Sequence, residues 1–72
     1  MTNTEKLKHI ISESGYKLDY LAEKCGISRQ SLTNKIVNRN LFTAKEIDIL
    51  CEELKISSLV EKESIFFAKK VE

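Results

Sequence analysis

Seventy-two residues with 42% hydrophobic and 32% charged side chains suit one small globular domain: too apolar for a disordered chain, too short for two cores. A net charge of +1, no apolar run near 18 residues and no charged-then-apolar leader set aside membrane-spanning and secreted proteins and point to the cytoplasm. No proline and two glycines are few for the turns of a sandwich or barrel, so the expected fold is all-α, one domain over residues 1–72.

The first predicted helix carries Leu7, Ile10 and Ile11 at i, i+3, i+4 and stops at Gly15. Thr2 and Glu5 have capping-box spacing at its start, with Thr4 as a rival cap. Leu18, Leu21, Ala22 and Cys25 repeat the stripe, and Gly26 ends it. Ser28 caps a short third helix over 28–37, whose inward pair is Leu32 and Ile36. Thr43 and Glu46 form a second capping box before Ile47, Leu50, Cys51 and Leu54, and Ser58 with Glu61 a third. The count is a compact bundle of four helices plus a less regular fifth segment.

That last segment has two readings. Leu59, Glu63, Phe66 and Phe67 fit one helical face, yet Ile-Phe-Phe also suits a strand. Its apolar residues pack either on their own bundle or on a second copy. Ile65, Phe66 and Phe67 are accordingly the candidate dimer surface, within a possible dimerisation tail at 65–72. Cys25 and Cys51 lie in apolar stripes with no further Cys or His at ligand spacing, which fits reduced core thiols better than a bridge.

Charge is distributed unevenly. Residues 1–40 hold seven Lys or Arg against four acids, residues 41–72 five against seven, and Lys24–Arg39 contains no acid. This asymmetry suggests a polyanion for one face. His9 is the single histidine, and Glu52–Glu53 and Glu61–Glu63 fall on outer helix faces. No nucleophile motif, phosphate loop or metal-ligand spacing is present, so neither an enzyme nor a cofactor, metal or small-molecule ligand is expected.

The informative segment is Leu18 to Leu32. Leu21 and Cys25 face one way beside the small Ala22, Gly26 suits a left-handed turn, Ile27 plugs the angle, and Leu32 closes the contact from the next helix. The run from Leu21-Ala22 through Gly26-Ile27-Ser28 to Ser31-Leu32 resembles the helix-turn-helix of the Cro/repressor-type, Xre-like family of phage and bacterial regulators. The resemblance covers roughly residues 4–55. Asn34-Lys35-Ile36 and Phe42-Thr43-Ala44-Lys45-Glu46-Ile47 look like the short phage or mobile-element regulators of Gram-positive bacteria.

The resemblance implies a lambda-repressor-like bundle that regulates transcription, as a repressor or Cro-like switch, by laying its third helix in the major groove of double-stranded DNA. A helical wheel agrees: with Leu32 and Ile36 inward, Asn34 points outward and Gln30 lies about 40° to one side. Arg29, Gln30, Thr33 and Asn34 are the candidate base readers, since Arg matches guanine and Asn or Gln matches adenine. Ser28, Lys35, Arg39, Asn40 and Lys17 are the candidate phosphate contacts, at positions where the family touches backbone or close beside them. Three positions depart from the family: Leu18 stands where Gln is frequent, Val37-Asn38 where Asn-Gly is frequent, and Lys35 where many relatives are apolar. One short helix covers few base pairs, so a homodimer reading two half-sites is expected. The competing reading is a protein-interaction module on the same fold, docking through the hydrophobic tail.

Overall fold

A computed structural model describes residues 1–68. Five helices follow in order: α1 Thr4–Ser14, α2 Leu18–Cys25, α3 Arg29–Ile36, α4 Ala44–Glu53 and α5 Leu59–Phe66. Among the described residues there is no strand, so the chain is an all-α bundle. Each helix sends apolar residues inward, and Leu7, Leu21, Leu32, Leu50 and Ile65 are fully buried at the centre. Ala22, 2% exposed, is the small residue where α2 meets its neighbours. No helix among the described residues is long and apolar enough to cross a membrane.

The helix starts follow short polar side chains. Ser28 accepts from the Ser31 N–H, and Thr43 and Glu46 form a complete reciprocal capping box. Ser58 accepts from the Glu61 N–H at the start of α5. The first helix differs from expectation, because its cap is Asn3, whose side chain accepts from the Lys6 N–H. Neither Thr2 nor Thr4 caps; both are turned toward the end of α3.

Three helices end in one hydrogen-bond pattern, a left-handed residue followed by a residue whose N–H reaches back to the last full turn. Gly26 (φ 72) precedes Ile27, whose N–H meets the Ala22 carbonyl at 3.0 Å. Asn38 (φ 68) precedes Arg39, bonded to the Asn34 carbonyl at 2.8 Å, and Lys55 (φ 59) precedes Ile56, bonded to Cys51 at 2.8 Å. A Cβ on Gly26 would meet nothing within 4 Å, so the glycine serves the backbone angle alone. Gly26→Ala should therefore cost about 1–2 kcal/mol through the left-handed conformation. At roughly 4–8 °C per kcal/mol in a domain this small, a thermal melt reads that directly, and an unshifted midpoint would refute the turn assignment.

The fifth segment is helical, and two of its residues leave the candidate dimer surface. Ile65 (0% exposed) and Phe66 (4%) lie in the protein's own core, with Phe66 edge-on to Phe42 at 5.5 Å between ring centroids. Only Phe67, 56% exposed, stays outside. Leu59 is exposed as well, because α5 meets the bundle with its C-terminal turn rather than along one full face. Residues 69–72 of the possible dimerisation tail lie outside the described residues. Cys25 and Cys51 are free thiols. Burial pushes both above the ordinary cysteine range, which disfavours the reactive thiolate.

Candidate nucleic-acid interface

Gly26, Ile27 and Ser28 are the whole connection between α2 and α3. The left-handed glycine ends α2 and turns the chain, Ile27 packs against the core, and Ser28 caps α3. With Leu32 and Ile36 buried, the opposite face of α3 presents Gln30 to solvent and leaves Asn34 half-buried, while Arg29 is exposed in the first turn, nearer the buried side. Gln30 Nε2 donates to Asn34 Oδ1 at 3.2 Å, so two candidate readers already hold each other one turn apart. Arg29 Nε lies 3.7 Å from Asp19 Oδ1, with both side chains about two-thirds exposed. An exposed pair of this kind contributes little, and a stronger acceptor can take the guanidinium. Thr33 stands apart from these three. It faces α1 across a cleft of about 290 Å³, shared with Lys8, Ser12 and Val37.

The candidate phosphate contacts divide. Ser28 is exposed and its oxygen accepts from the Ser31 N–H at 3.0 Å, leaving its proton to donate outward. Arg39 and Asn40 are exposed, and both backbone N–H groups close the turn onto the Asn34 carbonyl, at 2.8 and 3.3 Å. Lys17 is exposed at the start of α2 and makes no side-chain cap there.

Lys35 does not belong with them. Its Nζ sits 2.6 and 2.7 Å from the two carboxylate oxygens of Glu46, with the paired side chains 12% and 9% exposed. Lys35 thus takes an inward position and carries its charge to the start of α4, where Glu46 also accepts the Thr43 N–H at 2.9 Å. Burial pushes the Glu46 carboxyl upward, but the Lys35 and Thr43 hydrogen bonds outweigh it and hold the group below the usual carboxylate range. The capping box was legible in the spacing of residues 43 and 46. The lysine that completes it, eleven residues upstream of Glu46, was not.

Sequence reading also passed over a cluster between α2 and the end of α4. Tyr16 and Tyr20 stack at 4.8 Å, Lys24 Nζ lies 5.5 Å from the centre of the Tyr20 ring, and the Tyr20 hydroxyl donates to Glu53 Oε1 at 2.7 Å. That bond to a carboxylate pushes the Tyr20 hydroxyl up to about 12 and clips α2 to the end of α4. His9 is exposed, 3.8 Å from Glu13. No cluster of metal-ligating side chains occurs among the described residues. Compared with protein-family models, curated proteins and solved structures, the chain has no match in any of the three.

Proposed function

We propose that this protein is a cytoplasmic, sequence-specific duplex-DNA-binding regulator of transcription, a phage-type repressor or Cro-like switch, and not an enzyme. The observation that carries the reading is the three-residue turn at Gly26 leading into a helix that exposes Arg29 in its first turn, bears Gln30 and Asn34 on its outer face and contains no acid. Such a helix can enter the major groove, with Arg29 reading guanine and the Gln30–Asn34 pair reading adenine. Thr33 reads from the edge of that face, toward the cleft it shares with α1. Ser28, Arg39, Asn40 and Lys17 flank the face and grip phosphate. Selection from random duplexes, followed by binding of the selected and a scrambled duplex across a salt series, tests the proposal. A preferred site and a steep salt dependence are expected; binding to neither duplex would remove the reading.

The active species in this reading is a homodimer, because one eight-residue helix reads too few base pairs for a useful specificity ratio. Phe67 remains as its apolar contact, on a cleft of about 260 Å³ that Met1 and Leu41, 53% and 81% exposed, also line. The same exposed residues are what favours the second reading, a module that docks another protein. Phe67→Asp should leave the melting temperature within a few degrees, since the ring is mostly outside the core. It should shift the monomer–dimer equilibrium toward monomer in sedimentation; an unchanged equilibrium would remove Phe67 from the interface.

A further inference from the structure

The residues before α1 are tied down on both sides. Thr2 is 7% exposed, an unusual burial for a threonine next to a helix start. Its N–H donates to Asn38 Oδ1 at 2.8 Å, and its carbonyl accepts from Asn38 Nδ2 at 2.9 Å. One carboxamide thereby pairs with both backbone groups of one residue, as a neighbouring strand would. Two residues on, the Thr4 hydroxyl donates to the Ile36 carbonyl at 2.6 Å, one of the α3 carbonyls left without an intrahelical partner. Toward α5, the Asn3 N–H meets the Ile65 carbonyl at 2.7 Å and the Ala68 N–H meets the Met1 carbonyl at 2.9 Å. Residues 1–4 form a strap across the C-terminal ends of α3 and α5.

Two independent demands fall on Asn38. It holds φ 68, which glycine would hold with less strain, and it supplies a carboxamide that glycine lacks. The turn it anchors is bonded directly onto Asn34, whose carbonyl accepts the Arg39 N–H at 2.8 Å. Leu32 and Ile36 seat α3 in the core and the Lys35–Glu46 pair ties it to α4; the strap adds the hold on the turn that follows its last residue. Bidentate base contacts tolerate about 0.5 Å of misplacement. We infer that Asn38, acting through Thr2 and the strap, is a positioning residue for base recognition: it touches no base and sets where Asn34 and Gln30 stand. The inference rests on the DNA-binding reading of α3.

Asn38→Gly tests it, since glycine keeps the left-handed turn and removes only the carboxamide. Thr4→Val, which removes the hydroxyl on the Ile36 carbonyl at equal size, is the second variant should the first prove unstable. Each is compared with the wild-type protein on the selected duplex and on a scrambled one, at a temperature where circular dichroism shows full helicity. Asn38→Gly should bind the selected duplex roughly 10-fold more weakly and the scrambled duplex within about twofold, with the salt slope unchanged because no phosphate contact is lost. Thr4→Val should move the same way by a smaller factor, and amide exchange at Thr2 should quicken in Asn38→Gly. Equal losses on both duplexes would make Asn38 a folding residue only and overturn the inference, as would an unchanged ratio. A wild-type protein that prefers no duplex would end the DNA-binding reading and this inference together. A clear wild-type preference that Asn38→Gly retains would end this inference alone.

Discussion

Lys35→Ala is expected to destabilise the fold by about 2–4 kcal/mol rather than to weaken DNA binding evenly at every sequence. Alanine would leave the Glu46 carboxylate, 9% exposed, without its cation, and a carboxylate stranded in a largely buried site is strongly destabilising. At roughly 4–8 °C per kcal/mol for a domain of this size, the melting midpoint should fall by about 8–30 °C. Lys35→Met should fall less, because the methionine still fills the space along the lysine stem. The pair also sets an acid limit. The folded Glu46 carboxyl is held below its ordinary range, so its contribution is fully present above the unfolded value of about 4.3. It is lost as pH falls through the lower folded value. Chemical denaturation from pH 7 to pH 2 should show wild-type stability declining below about pH 4.5. Glu46→Gln should start lower and decline less steeply. If Lys35→Ala instead melted like the parent and only reduced the salt slope of DNA binding, Lys35 would be a phosphate contact after all.

Asn34→Ala and Gln30→Ala are expected to act on recognition and not on the fold. Each bidentate base contact is worth about 1–3 kcal/mol of discrimination, and in a dimer each change is made twice. The ratio of selected to scrambled affinity should therefore fall by one to several orders of magnitude, with the loss greatest at the position the removed side chain reads in each half-site. The hydrogen bond between Gln30 Nε2 and Asn34 Oδ1 adds a sharper expectation. Each side chain orients the other, so removing either also releases its neighbour, and the double variant should cost less than the sum of the singles. Arg39→Ala should differ in kind, weakening both duplexes alike and reducing the salt slope by roughly 1 per contact and half-site. Binding isotherms for all four proteins over a salt series separate these outcomes. An undiminished ratio in both single variants would take base reading away from α3 and strengthen the protein-docking alternative.

Much of the fold was written in residues that act within one turn of themselves. The stripes around Leu7, Leu21, Leu32 and Leu50, the stops at Gly15 and Gly26, the Ser28 cap and the Thr43–Glu46 box are all visible at spacings of four or less. A helix face and a cap depend on neighbours that the chain itself holds close. The outward pair Gln30 and Asn34 followed from the same periodicity, whereas Arg29 lies nearer the buried side of the wheel and is exposed because it stands in the first turn of α3. What tertiary structure decided lies at long separation. Thr2 looked like a cap and is instead held by Asn38, thirty-six residues away. Lys35 looked like a surface charge, yet the approach of α4 brings Glu46 to 2.6 Å. Lys55 takes a left-handed angle that nothing in its own chemistry favours, and the N–H of the next residue, the buried Ile56, closes the end of α4 in return. Ile65 and Phe66 were ambiguous between core and partner because apolar residues near a chain end satisfy either. Only the packing of α5 against α1, and of Phe66 on Phe42, assigns them to the core. Sequence determines which faces are apolar and which turns are permitted. Which polar side chain meets which depends on how those faces come together, because a hydrogen bond or ion pair forms only where distant segments approach within about 3 Å.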